Sequence, residues 1–164
     1  MATDGTQDDF KQAMRRLAST IAIVTSGKGD ARTGMAATAV TSVTANPPTI
    51  LIAVNHNASI CPVITDHRQF CVNLLAERHR DLVGIFSGVA KGLARFQTGD
   101  WETSEEGLPV LSDALAVLFC TTSATLEVGT HTLFIGEVTR VRNHPSIDPL
   151  IWVDGKFASV RQLT

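Results

Sequence analysis

The residues best placed to do chemistry lie in one stretch, 33–55, which reads TGMAATAVTSVTANPPTILIAVN. Between Gly34 and Val43 nothing is larger than Met35, and hydroxyls recur at Thr38, Thr41, Ser42 and Thr44. Pro47 and Pro48 interrupt the pattern before a fully apolar run, 50–54. Proline has no amide proton to give a sheet, so the pattern predicts two strands joined by a proline corner. Alanine and glycine in a strand leave the backbone open to close approach, and the hydroxyls can donate or accept at short range. A flat, polar heteroaromatic ring suits such a surface. An ordinary half-buried strand with a Thr/Ser face produces the same pattern.

Other candidates are scattered. Asn55 precedes the polar loop His56-Asn57-Ala58-Ser59, where a turn-forming asparagine and a ligand contact both fit. Asn73 sits in CVNLL, an otherwise apolar segment. A buried amide needs partners, so it either ties strands together or meets a ligand. Arg95, in ARF, carries a planar fork suited to pairs of oxygens, or is simply a solvated loop cation. His131 follows Gly129-Thr130 in a tight turn, a position open to a structural or a binding role. The five histidines form no HExxH pattern and pair with no cysteine, so no metal site is expected. Gly27-Lys28-Gly29 is not a dinucleotide fingerprint, because Arg32 stands where the third glycine would be.

The elements that must position these residues are mostly strands. Residues 1–5 read as a disordered tip, after which Thr6 and Asp9 resemble a capping-box start. Phe10, Ala13, Met14 and Leu17 then mark one face of an amphipathic helix. A β-branched run predicts a strand over 20–26, followed by a turn at 27–30. Short helices are expected at 60–67 and around Leu82, Val83 and Phe86, with a buried strand at 70–75 between them. Residues 87–109, rich in glycine and charge, read as a long surface loop. Period-two alternation through 118–126 predicts a strand, Gly129-Thr130 a tight turn, and 133–141 the hairpin partner. Strands at 151–153 and 157–160 close the chain. Many short strands with few helices indicate a mainly β, antiparallel barrel.

At 164 residues, a single domain over 1–164 is expected, large enough to bury about 70% of its unfolded surface. A formal net charge of −2 argues against a nucleic-acid surface, and 5% aromatics with no tyrosine argue against a base-stacking platform. No apolar run reaches the roughly 18 residues of a membrane span, and no signal-peptide core opens the chain. Three widely spaced cysteines, Cys61, Cys71 and Cys120, fit a reducing, cytoplasmic setting.

Taken in order, GMAATAVTSVTANPP, VNHNAS, CVNLL, ARF, GTHTLFIGEV and the closing PLIWVDGKF cover nearly the whole chain. They resemble the flavin reductase family, the small reductase components of two-component flavin-dependent monooxygenases, and within it the 4-hydroxyphenylacetate subgroup. The resemblance implies the FMN-binding split barrel, an antiparallel Greek-key barrel of six strands, as a homodimer with flavin near the interface. It implies an NAD(P)H:flavin oxidoreductase, with FMN or FAD as acceptor and NADH or NADPH as reductant. Reduced flavin would pass to a separate oxygenase component.

On the same grounds, backbone groups of Met35, Ala36, Ala37, Thr38 and Ala39 and the hydroxyls of Thr38, Thr41 and Ser42 should line the isoalloxazine. Asn55 and Ser59 match positions that approach the ribityl phosphate, and Arg95, beside Phe96, offers it a cation. Asn73 would meet the flavin or tie the barrel. His131 would face the nicotinamide, with Phe134 covering it or filling the barrel. Cys61 departs from the hydroxyl or imidazole common in its loop, and Thr130 from a commoner aspartate. Hydride transfer from nicotinamide C4 to flavin N5 asks the protein mainly to align two rings and stabilise developing charge. Two alternatives remain: a pyridoxamine-phosphate-oxidase-like enzyme, against which GTH and ARF speak, and a flavin-storing or flavin-sensing protein without catalysis.

Overall fold

A computed structural model describes residues 4–163. Helix α1 spans Asp4–Met14, so residues 4 and 5, expected to be disordered, are already helical; residues 1–3 lie outside the described residues. The face expected to be buried is open, with Phe10 62%, Met14 45% and Leu17 61% exposed. Arg15 ties the end of this segment to the far end of the chain by donating from Nε to Asp154 Oδ1 at 3.0 Å.

The expected strand at 20–26 divides into β1 (Ser19–Thr20) and β2 (Ala22–Ser26). The expected pair of strands in the central stretch is three: β3 (Thr33–Ala37), β4 (Val40–Ala45) and β5 (Pro48–Asn55). The proline corner joins the last two. Then come α2 (Ile60–His67), β6 (Gln69–Leu74), α3 (Arg80–Gly84) and a π turn, Ile85–Val89. The segment read as one long loop carries a 3-10 turn, Gly92–Gln97, and a small hairpin of β7 (Trp101–Thr103) and β8 (Pro109–Leu111). The long hairpin is β9 (Ala116–Val128) and β10 (His131–Asn143), turning at Gly129 with φ +56°. Strands β11 (Ile151–Val153) and β12 (Lys156–Ala158) form a separate three-stranded sheet with β1.

The principal sheet runs β3-β2-β6-β9-β10-β5-β4, antiparallel throughout. It has seven strands rather than six because the small-residue stretch breaks at residues 38–39, where Val40 N–H donates to the Thr38 carbonyl and Ala53 N–H to that of Ala39. The two edge strands, β3 and β4, are thus consecutive in the chain. A two-residue link between opposite edges obliges the sheet to roll back on itself, which makes it a split barrel.

Rolling creates two cores. Inside lie Ala22, Val24, Ile52, Val54, Phe70, Val72 and Phe134, plugged by Ile60 and Ile64 of α2. Outside β2, β6 and β9, Ile23, Cys71 and Phe119 pack against Leu82, Phe86, Leu108, Val110 and Leu111. Strand β2 is therefore buried on both faces, and its hydroxyls find partners: Thr25 donates to the Pro109 carbonyl and Ser26 to that of Gln69, each at 2.6 Å. Among the described residues no helix is long and apolar enough to cross a membrane.

All three cysteines are buried and unpaired. Burial pushes the Cys120 thiol up to about 12; it drives the Cys71 thiol higher still, aided by neighbouring Cys120 and Glu106. Thiols in the unfolded chain ionise near their ordinary value, whereas these stay protonated when folded. Stability is then fully present below about pH 8.5 and falls as pH rises toward 12, by roughly 1.4 kcal/mol per pH unit for each thiol. Urea melts between pH 8 and 10.5 should show this decline, and Cys120→Ala should roughly halve its slope, leaving the part due to Cys71. An unchanged pH slope in that variant would mean that its thiol ionises freely in the folded state.

Candidate functional site

Strand β3 ends the sheet on its open side, and against it lie the π turn, the 3-10 turn and the loop before α2. Together they enclose a cleft of about 770 Å³ lined by Thr33, Gly34, Met35, Ala36, Asn57, Ala58, Ser59, Phe86, Ser87, Gly88, Lys91, Gly92 and Arg95. Two of these described lining residues are cations and none is a carboxylate. The cleft is accordingly electropositive and suits an anion.

One end of the cleft is built from three polar groups distant in sequence. Arg95 Nη1 donates to Thr33 Oγ1 at 2.9 Å and to Ser59 Oγ at 3.2 Å, and those two hydroxyls are 3.2 Å apart. Ser59 stands at the N-terminal end of α2 without capping it, so its hydroxyl is committed to this cluster. Arg95 Nε is shielded from solvent and has no partner. A guanidinium with an unused donor beside two hydroxyls can take the oxygens of a phosphate.

Along β3 the side chains stay small for two different reasons. Gly34 could not carry a Cβ, which would fall 2.8 Å from the Phe86 ring and 3.0 Å from the Val24 carbonyl oxygen. Its smallness admits Phe86, which forms the cleft wall. Ala36 lines both this cleft and an adjoining hollow of about 220 Å³ shared with Ile21, Ala37, Thr38, Val83, Ser87 and Trp152. From Thr33 to Thr38 an extended chain spans about 17 Å, room for a ribityl chain and a tricyclic ring laid end to end. Ala37 itself is 8% exposed and packs into the barrel interior, so only its backbone can reach a ligand.

The expected site residues separate into groups. Met35, Ala36, Ser59 and Arg95 meet in the cleft, and Thr38 lies at its continuation. Ala39 faces the groove between α1 and β11, while Thr41 and Ser42 line a different surface with Ser19, Thr20 and Leu118. Asn55 forms an Asx turn, its Oδ1 accepting from Asn57 N–H at 2.9 Å, and so shapes the loop that carries Ser59.

Three of the expected residues lie away from the cleft, and for Asn73 and Phe134 the packing fits the structural one of the two open readings. Asn73 is fully buried away from the cleft; its amide donates to the Ile23 carbonyl at 2.9 Å and to Thr25 Oγ1 at 3.3 Å, and its Oδ1 accepts from Leu111 N–H at 2.9 Å. It stitches β6 to β2 and β8, and those bonds use up the amide. Phe134 is fully buried inside the barrel because its register opposite Ile52 points it inward. Phe96 belongs to a three-ring cluster behind the wall, 5.5 Å from Phe86 and 5.2 Å from Trp101, with the Arg32 guanidinium 5.3 Å above its ring.

His131 is half-buried at the start of β10, opposite Asn55, with Nδ1 2.9 Å from Thr130 Oγ1. It is not among the cleft-lining residues, but Asn55 leads directly into the loop that is. Beside it, His56 Nε2 lies 2.6 Å from Glu127 Oε2, and Thr132 donates to Glu127 Oε1 at 2.9 Å. Sequence reasoning passed over Thr33, Ser87 and Lys91. Thr33 opens the conspicuous stretch and is 6% exposed; a polar residue directly before a strand glycine was the available signal.

Residues 14–161 match the model of the flavin reductase like domain. The chain is 39% identical over 146 residues to the FMN reductase (NADH) RutF of Stutzerimonas stutzeri, covering 89% of this chain and 84% of that protein. Among solved structures, the NADH:FAD oxidoreductase SgcE6 of Streptomyces globisporus superposes with a TM-score of 0.89 at 26% identity, over 99% of this chain and 98% of that one. The styrene monooxygenase flavin reductase of Pseudomonas putida S12 superposes with a TM-score of 0.85 at 26% identity, over 95% and 99%.

Proposed function

Because the chain belongs to the flavin reductase family, we propose that it is an NAD(P)H:flavin oxidoreductase that seats the flavin phosphate on Thr33, Ser59 and Arg95. The observation that carries this reading is that cluster, an incompletely partnered guanidinium with two hydroxyls at one end of a cleft whose described lining holds no carboxylate. A flavin, when bound, supplies the redox chemistry by accepting hydride from the nicotinamide. The chain's own groups hold and align. Arg95 and the hydroxyls fix the anionic end, the backbone from Met35 in β3 to Thr38 just beyond it offers a flat bed, and Phe86 walls one side. His131 contributes by position, holding the carboxamide or a phosphate of the dinucleotide; no proton transfer is asked of it.

Mixing the protein with NADH and free FMN or FAD tests this. Absorbance at the nicotinamide band should fall only when protein and flavin are both present; a storage protein would bind flavin and leave NADH intact. His131→Ala should raise the Michaelis constant for NADH about tenfold while keeping flavin affinity. Stable His131→Ala protein with native NADH kinetics would remove the histidine from the site.

A homodimer accords with the exposed apolar face formed by Phe10 and Met14 of α1 together with Leu17 just beyond its end, next to a groove they share with Trp152. A second copy covering that face would also shield the neighbouring end of β3. Sedimentation at micromolar concentration should give a dimer, and a monomer with full turnover would take the interface out of the mechanism. The styrene monooxygenase reductase among its structural relatives supports delivery of reduced flavin to a separate oxygenase. Three unpaired buried thiols accord with a reducing cytoplasm.

A further inference from the structure

We propose that residues 87–92 form a glycine-hinged flap that folds over the phosphate held by Thr33, Ser59 and Arg95 and adds Lys91 to its contacts. The inference rests on reading that cluster as the flavin phosphate site. The flap lies between two fixed points. Phe86, 3% exposed, anchors its start in the outer core, and Phe96 anchors the 3-10 turn that follows it. Between them the chain leaves the helix through a π turn, a distortion common at functional sites.

Both hinges are glycines in backbone conformations that other residues adopt poorly: Gly88 has φ +114° and Gly92 φ +53°. A Cβ added at either would meet nothing within 4 Å, so neither glycine is required by packing. Val89, between them, is 84% exposed, an apolar side chain with nothing to cover it. The segment therefore stands off the body of the protein. Even so, Ser87, Gly88, Lys91 and Gly92 all line the cleft that Arg95 lines.

Lys91 supplies the chemical reason for closure. Its ammonium makes no hydrogen bond or ion pair with any described residue, whereas that of Lys11 pairs with Asp8. The described lining holds no carboxylate to attract it. An ammonium on a mobile stem, four residues before a guanidinium that still has an unused donor, suits a phosphate with three oxygens to satisfy. Closing the flap would bring Val89 down over the cleft mouth and exclude water from the bound anion.

The test follows the reactivity of individual lysine amines. Full-length protein is briefly acylated with an amine-reactive ester, alone and with saturating FMN, riboflavin or NAD+, and each lysine is read by peptide mass spectrometry. FMN should protect Lys91 several-fold relative to Lys11 and Lys156, and riboflavin, which has no phosphate, should not. In parallel, Lys91→Gln should weaken FMN binding about tenfold, read by flavin fluorescence, and leave riboflavin binding unchanged. FMN binding with Lys91 labelled at its unliganded rate overturns the flap and leaves the functional reading standing. Protection by NAD+ but not by FMN also overturns it, assigning the segment to the dinucleotide. No binding of either FMN or FAD would remove the functional reading, and the flap with it.

Discussion

Arg95→Ala should raise the dissociation constant for FMN by roughly 10- to 100-fold, the loss of about 1.5–3 kcal/mol expected for a hydrogen bond to a charged group. Riboflavin should bind the variant as it binds the native protein, because the argument concerns the phosphate alone. The fold should tolerate the change. Arg95 is half-buried, and the two hydroxyls it contacts lie 3.2 Å apart and can satisfy each other once it is gone. Arg95→Lys should recover only part of the affinity, since a point charge cannot donate as a fork. Fluorescence titrations with the two flavins, with melting curves as control, decide the matter. Equal losses for FMN and riboflavin would mean that Arg95 holds the cleft open rather than the anion.

The largest effect on stability is expected at Asn73. Asn73→Ala should destabilise the protein by about 2–4 kcal/mol, because it leaves the Leu111 N–H without an acceptor in a fully buried position and removes a donor to the Ile23 carbonyl. For a chain of this length that corresponds to a melting point lower by roughly 5–15 °C. Asn73→Asp keeps the shape and the acceptor but loses the donor, and it places a carboxyl where nothing is exposed. It should cost at least as much near neutral pH and less under acid, where the carboxyl is neutral. Below the transition, FMN affinity should be native in both variants. If stability held while flavin affinity fell, Asn73 would return to the binding site.

These two residues mark the boundary between what the chain shows on its face and what it conceals. Helix α2, the corner at Pro47 and Pro48, and the hairpin turning at Gly129 were all legible beforehand. Each is specified locally, by a run of helical period, a missing amide proton or a two-residue alternation. The mainly β character followed from their sum, and the family from the order of motifs along the chain. The division of residues 33–45 into opposite edges of a rolled sheet was not legible, because Thr38 and Ala39 have no turn chemistry of their own. Their break is set by hydrogen bonds from Val40 and from Ala53 on the neighbouring strand.

The site divides the same way. Small side chains after Thr33 were visible as a pattern, but that Gly34 makes room for Phe86, 52 residues later, is a fact of packing. Asn73 and Arg95 each offered two readings in sequence, because an amide or a guanidinium declares only that it needs partners. Which partners it finds depends on contacts across 36 to 62 residues of chain. Strand period decided which residues face the same way; only the closure of the barrel decided which of those faces became interior, as for Phe134, and which became the wall of a cleft.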